Sequence, residues 1–169
     1  MTRRQSKILM LLFGLIGLLL VALNRGEETT GDLELPDIEE VTGIRIENSQ
    51  GIFVASRRGG EWTVSQPDRG IGRSEALEDL ILMGSRLRVE ATFPNGERSH
   101  YGLNPPAALL ELRGGTTATQ IAFGKRAPAH YATYIQVDNG PVLAVKGYPI
   151  ETVEQPFEDL IDEDFIEGL

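Results

Sequence analysis

Val41-Thr42-Gly43-Ile44-Arg45-Ile46, then Asn48-Ser49-Gln50, then Gly51-Ile52-Phe53-Val54-Ala55: the fold turns on how this stretch is read. Ile44 and Ile46 are two residues apart, so an extended chain puts them on one face and Arg45 on the other. Asn48-Ser49-Gln50 is a turn cluster, and the apolar residues resume beyond it. Gly59-Gly60 turns the chain again into Glu61-Trp62-Thr63-Val64. Three period-two runs separated by turn residues predict an antiparallel three-stranded meander.

Moving toward the C-terminus, the period lengthens. Leu77, Leu80, Ile81, Gly84 and Leu87 share a face at helical spacing. Ser74 is a candidate N-cap, acids (Glu75, Glu78, Asp79) fill the first turns, and Arg86 and Arg88 close the segment, an order that suits the helix dipole. A second cycle of strands follows. Ala108-Leu109-Leu110-Glu111-Leu112 turns at Gly114-Gly115 into Thr119-Gln120-Ile121-Ala122-Phe123. Ala132 to Val137 then meets Val142-Leu143-Ala144-Val145 across Asp138-Asn139-Gly140-Pro141. Ile150, Val153, Phe157, Leu160 and Ile161 recur at helical spacing, with Pro156 opening the helix because proline breaks an interior. The expected fold class is α+β: antiparallel meanders with two helices, arranged as a duplicated strands-then-helix unit.

Working outward to the N-terminus changes the setting. Arg3, Arg4 and Lys7 precede an unbroken apolar run from Ile8 to Leu23, and Asn24 and Arg25 close it. Sixteen residues at about 1.5 Å each reach roughly 24 Å, short of about 30 Å of hydrocarbon, and snorkelling basic side chains extend the span. A cleaved signal peptide has the same basic start and apolar centre. Cutting after Ala22, however, would leave Leu20 where a small residue belongs. The expectation is therefore an uncleaved single transmembrane helix. Lys and Arg outnumber on its N-terminal side, which predicts a cytoplasmic N-terminus and an extracytoplasmic domain, in the inner membrane and periplasm of a diderm bacterium. The expected organisation is a basic start (1–7), the membrane helix (8–23), an acidic linker (24–36) and one α+β domain (37–169).

Composition narrows the partners. All 25 acids and 12 of the 16 bases lie after Arg25, a formal charge of −13 for that part. Such a charge disfavours nucleic acid and anionic headgroups. The chain has no cysteine, which removes disulfides, thiol chemistry and thiolate metal sites.

Set beside known groups, the chain resembles the membrane-anchored domains of unknown function related to auxiliary components of gliding-motility-type ABC transporters. The resemblance runs through Ile44-Arg45-Ile46, Trp62-Thr63-Val64-Ser65-Gln66-Pro67, the helix ending near Leu87, Tyr101-Gly102-Leu103-Asn104-Pro105-Pro106, Phe123-Gly124, Tyr134-Ile135-Gln136-Val137 and Leu160-Ile161-Asp162. It covers roughly residues 38–165. It implies an anchored extracytoplasmic accessory domain and supplies no catalytic residues.

Several motifs carry a chemical reading beside a plainer one. Gly70-Ile71-Gly72-Arg73-Ser74-Glu75 has the outline of a phosphate-cradling loop, but Glu75 stands where the third glycine belongs and repels phosphate. The acids Glu151, Glu154, Glu158, Asp159, Asp162, Glu163, Asp164 and Glu167 lack the alternation of a calcium loop and read as a solvated helix face. His100 and His130 each neighbour a tyrosine, without a serine or carboxylate at a motif spacing. Trp62 and Tyr101 read as packing residues. Tyr131, Tyr134 and Phe157 suit either an interface or the core. The expected function is a non-enzymatic accessory subunit of an integral membrane complex, either a transporter or a respiratory or photosynthetic assembly, with no cofactor, metal or small-molecule substrate. The alternative is a ligand-binding domain for a glycan or peptide, and the remaining class is an envelope hydrolase. Gly14 and Gly17, whose small side chains admit a neighbouring helix, and the apolar Phe165, Ile166 and Leu169 are the candidate interface residues.

Overall fold

The computed structural model describes residues 31–33, 36, 39–94, 96–128 and 131–162. Among these residues are ten strands: β1 (Gly31–Asp32), β2 (Val41–Asn48), β3 (Gly51–Arg58), β4 (Glu61–Gln66), β5 (Gly70–Ile71), β6 (Arg88–Phe93), β7 (Ala108–Gly114), β8 (Thr117–Arg126), β9 (Ala132–Val137) and β10 (Val142–Lys146). They form one sheet in the order β1-β6-β10-β9-β8-β7-β2-β3-β4-β5, and every neighbouring pair is antiparallel. Helix α1 (Ser74–Ser85) follows β5.

The meander read from residues 41–64 is β2, β3 and β4. Ile44 and Ile46 of β2, Phe53 and Ala55 of β3, and Trp62 and Val64 of β4 all point to one face and are essentially solvent-free. Leu77, Leu80 and Ile81 of α1 pack against that face. Each large apolar side chain among these contributes about 1.5–3 kcal/mol by leaving water. The same inner face continues through Leu110, Leu112, Ile121, Phe123, Ile135 and Val145. Their alternation with polar or outward residues explains why β7 to β10 extend the first meander.

The α+β expectation of two helices and a duplicated unit is overturned. The described residues build a single continuous sheet, with β7 paired directly to β2, and among them only one helix is longer than a turn or so. The expected second helix is a four-residue piece, α2 (Ile150–Val153), followed after Pro156 by a 3-10 turn, Phe157–Leu160. Proline has no N–H and its ring excludes a preceding helical turn, so the apolar spacing across it could not become one helix. Ile150, Val153, Phe157 and Leu160 still bury against the core. The β2–β3 turn holds this segment down: Asn48 Nδ2 donates to Val153 O at 2.9 Å, and Gln50 Nε2 donates to Glu154 O at 2.9 Å.

Three local expectations also change. Arg73, not Ser74, occupies the N-cap position, without a side-chain cap. Arg86 follows the helix, and Arg88 begins β6, a strand where helix was expected to close. Gly31–Asp32, within the expected linker, pairs with Val89 and Arg88 as β1.

The apolar run 8–23 lies outside the described residues. Among the described residues no helix is long and apolar enough to cross a membrane.

Candidate functional site

The outer face of the sheet carries a second apolar cluster. Leu103, Ala122 and Val142 are buried there, with Phe93, Tyr101, Leu109 and Tyr134 packed against them. A bulge places Phe93 on this face. Val145 pairs with Val89, and Ala144 pairs with Ala91, so Glu90 is the extra residue on β6. One extra residue reverses the side on which each later side chain emerges. Val89 therefore joins the inner core while Phe93 joins the outer cluster.

The segment between β6 and β7 folds over this cluster. It contains a 3-10 turn, Arg98–Tyr101, ended by Gly102 at φ 70°. Leu103 and Pro106 then form an isolated bridge. Gly124 of β8 is what allows the approach: a Cβ there would lie 2.2 Å from Tyr101 O and 3.1 Å from Leu103 Cγ. Tyr134 meets Tyr101 edge to face at 4.8 Å and 75° and Phe93 at 6.0 Å and 74°, while Phe93 and Tyr101 are tilted together at 5.3 Å. Such contacts exceed the value of the area they bury. Burial, and then the neighbouring Tyr101, raise the Tyr134 phenol above its ordinary value, so it stays neutral well into the alkaline range. A depression of about 320 Å³ opens beside this segment, between Pro105–Leu109 and Glu47–Ser49.

A second group of rings lies where β8, β9 and β10 come together. Tyr131 is 77% exposed and has φ 47°. Its ring meets Tyr148 at 6.1 Å, and the Arg126 guanidinium sits 4.4 Å above Tyr148. Arg126 also pairs with Glu151 through Nη2 and Oε1.

The residues singled out from the sequence distribute as follows. Trp62 is fully buried beneath α1, as a packing residue. Tyr101 packs in the outer cluster. Phe157 is core, with its ring 5.5 Å from Phe53. Tyr134 joins the outer cluster and Tyr131 projects into solvent. Gly72 is explained by packing: a Cβ would lie 2.6 Å from Leu77 Cδ1 and 2.9 Å from Trp62 Cβ. The backbone at the start of α1 is occupied as well, since Arg73 N donates to Leu160 O at 2.9 Å. His100 is exposed and lies 3.6 Å from Glu97. His130, Glu163, Asp164 and Glu167 are outside the described residues, as are Gly14, Gly17, Phe165, Ile166 and Leu169. Among the described residues no three His, Asp or Glu side chains converge as metal ligands. Phe93, Arg126 and Tyr148 were not singled out from the sequence. The period-two run Val89-Glu90-Ala91-Thr92-Phe93 marks a strand but sets Phe93 on the inner face with Val89, so nothing local marked any of the three for this site.

No family model, no curated protein and no solved structure matches this chain.

Proposed function

We propose that this protein is a non-enzymatic, membrane-anchored accessory subunit that docks on an integral membrane complex. The observation that carries this reading is the uncharged run Ile8–Leu23, with three bases before it and one after. Such a run belongs in a bilayer, with its basic end on the cytoplasmic side. The sheet domain then lies on the other side. With Gly31–Asp32 held in the sheet as β1, the seven residues 24–30 remain as tether, an r.m.s. reach of roughly 15 Å that keeps the domain beside the membrane and raises its effective concentration toward membrane partners. The half-buried rings of the outer face and the exposed Tyr131 are residue types enriched at protein interfaces. The resemblance to auxiliary domains of transporter systems favours a transporter as host.

The test is isolation of the full-length protein from native membranes in mild detergent. Co-purification with an integral membrane complex is expected, weakened by deletion of residues 165–169 or by leucine at both Gly14 and Gly17. Recovery as a lone monomer, under detergents that keep known complexes whole, overturns the reading.

A further inference from the structure

We propose that the rim built by Lys125, Arg126, Tyr131, Lys146 and Tyr148 is a docking surface for an acidic polypeptide segment of the membrane partner. This rests on the accessory-subunit reading and names the surface it uses. The pairing of the strands brings the residues together. Arg126 pairs with Thr133 and Lys146 with Ala132, so the end of β8, the start of β9 and the end of β10 coincide. Tyr131 stands just before β9, and its carbonyl accepts a hydrogen bond from Gly147 N at 2.5 Å.

Charge selects the partner. The chain after Arg25 is strongly acidic, yet among the described residues this rim carries three bases, Lys125, Arg126 and Lys146, with Glu151 paired to Arg126. Glu151 is engaged by Arg126, and among the described residues Lys125 and Lys146 make no ion pair. A local patch of opposite sign on an acidic domain sets the register of a contact and discriminates between partners. A neutral or basic segment would gain nothing from the two lysines.

The aromatic geometry supplies the anchor. Tyr131 is 77% exposed, and its φ of 47° lies in the left-handed region that non-glycine residues seldom adopt. Backbone bonds on both sides hold it there: the one from Gly147, and one from Ala127 N to Ala132 O at 2.8 Å. Strain of this kind concentrates at sites that bind. Arg126 is pre-positioned on the Tyr148 ring at 4.4 Å, so less side-chain freedom remains to be lost on docking. The acidity of the domain as a whole opposes approach from solution. Tethering both partners to one membrane overcomes that, because contact becomes effectively intramolecular.

The test places a benzophenone amino acid at position 131 of the full-length chain in native membranes, with position 118, at the other end of β8, as control. The cross-linked peptide is mapped by mass spectrometry. The expected product joins position 131 to an Asp/Glu-rich extracytoplasmic segment of an integral membrane protein, in roughly threefold or greater yield over position 118. It should fall by about threefold in Lys125→Glu/Lys146→Glu, and also as salt rises, since exposed charges are screened. A product that maps to a neutral or basic segment, to lipid or to glycan overturns the proposal. So does the absence of a product when the chain still co-purifies with its complex, a result that leaves the accessory-subunit reading standing. A product with an acidic segment of a soluble protein keeps the acidic specificity of the rim and overturns the membrane host.

Discussion

Replacing Trp62 with alanine should cost about 3 kcal/mol, and the structure says why the figure falls at the low end for a buried indole. Trp62 is fully buried on β4, under α1, in contact range of the Gly72 backbone, whose N–H donates to Trp62 O at 2.9 Å. Deleting a buried Trp or Phe side chain costs about 3–5 kcal/mol through lost transfer energy and the cavity left behind. The indole N–H, however, has no acceptor among the described residues. An unpaired buried donor costs about 1–3 kcal/mol, and the substitution removes that penalty. Phenylalanine removes the same orphan and keeps most of the ring, so Trp62→Phe should cost about 1 kcal/mol. Urea unfolding followed by far-UV circular dichroism measures both, since the only tryptophan fluorophore is lost. With m near about 2 kcal/mol per molar, alanine should lower the midpoint by about 1.5 M and phenylalanine by about 0.5 M. A loss below about 1 kcal/mol for alanine, or phenylalanine as damaging as alanine, refutes the reasoning.

Gly124→Ala should push the 94–107 segment off the outer face, because its Cβ would meet Tyr101 O at 2.2 Å; a loss of about 2 kcal/mol and faster proteolysis within 94–107 check this. Tyr134→Phe should alter stability only in alkali. The folded phenol titrates above its unfolded value near about 10, so its contribution is complete below that pH and is lost as pH rises through the folded value; wild type should therefore weaken relative to Tyr134→Phe above about pH 10, measured as urea midpoints against pH. Arg57→Ala, which breaks a part-exposed 3.6 Å pair with Glu78 and a distant stack on Trp62, should cost less than about 1 kcal/mol in the same assay. Protease added outside intact spheroplasts should digest the domain and spare the first residues; protection of the domain overturns the proposed orientation.

Much of the inner core was legible in the sequence. Ile44, Ile46, Trp62 and Val64 alternate with polar or small residues, and Leu77, Leu80 and Ile81 recur at helical spacing, whereas Phe53 stands between Ile52 and Val54 and its face was left to the strand pairing. These patterns are local because side chains alternate along a strand and repeat about every 3.6 residues along a helix. Turn residues marked the hairpins for the same reason. The acidic charge and the N-terminal apolar run were likewise properties of composition, independent of how the chain folds.

Tertiary structure decided everything that depends on which strands meet. One sheet rather than two units follows from β7 pairing with β2, about sixty residues apart, a choice made by total burial rather than by either segment's periodicity. Phe93 reaches the outer face only because Glu90 bulges against β10, and a bulge exists only in a pair. The apolar spacing from Ile150 to Ile161 announced burial correctly, while Pro156 decided that two short turns would deliver it. Tyr131, Arg126 and Tyr148 sit in separate loops and strand ends with no shared motif. They form one rim because hydrogen-bonded register, a long-range property, aligns the ends of β8, β9 and β10.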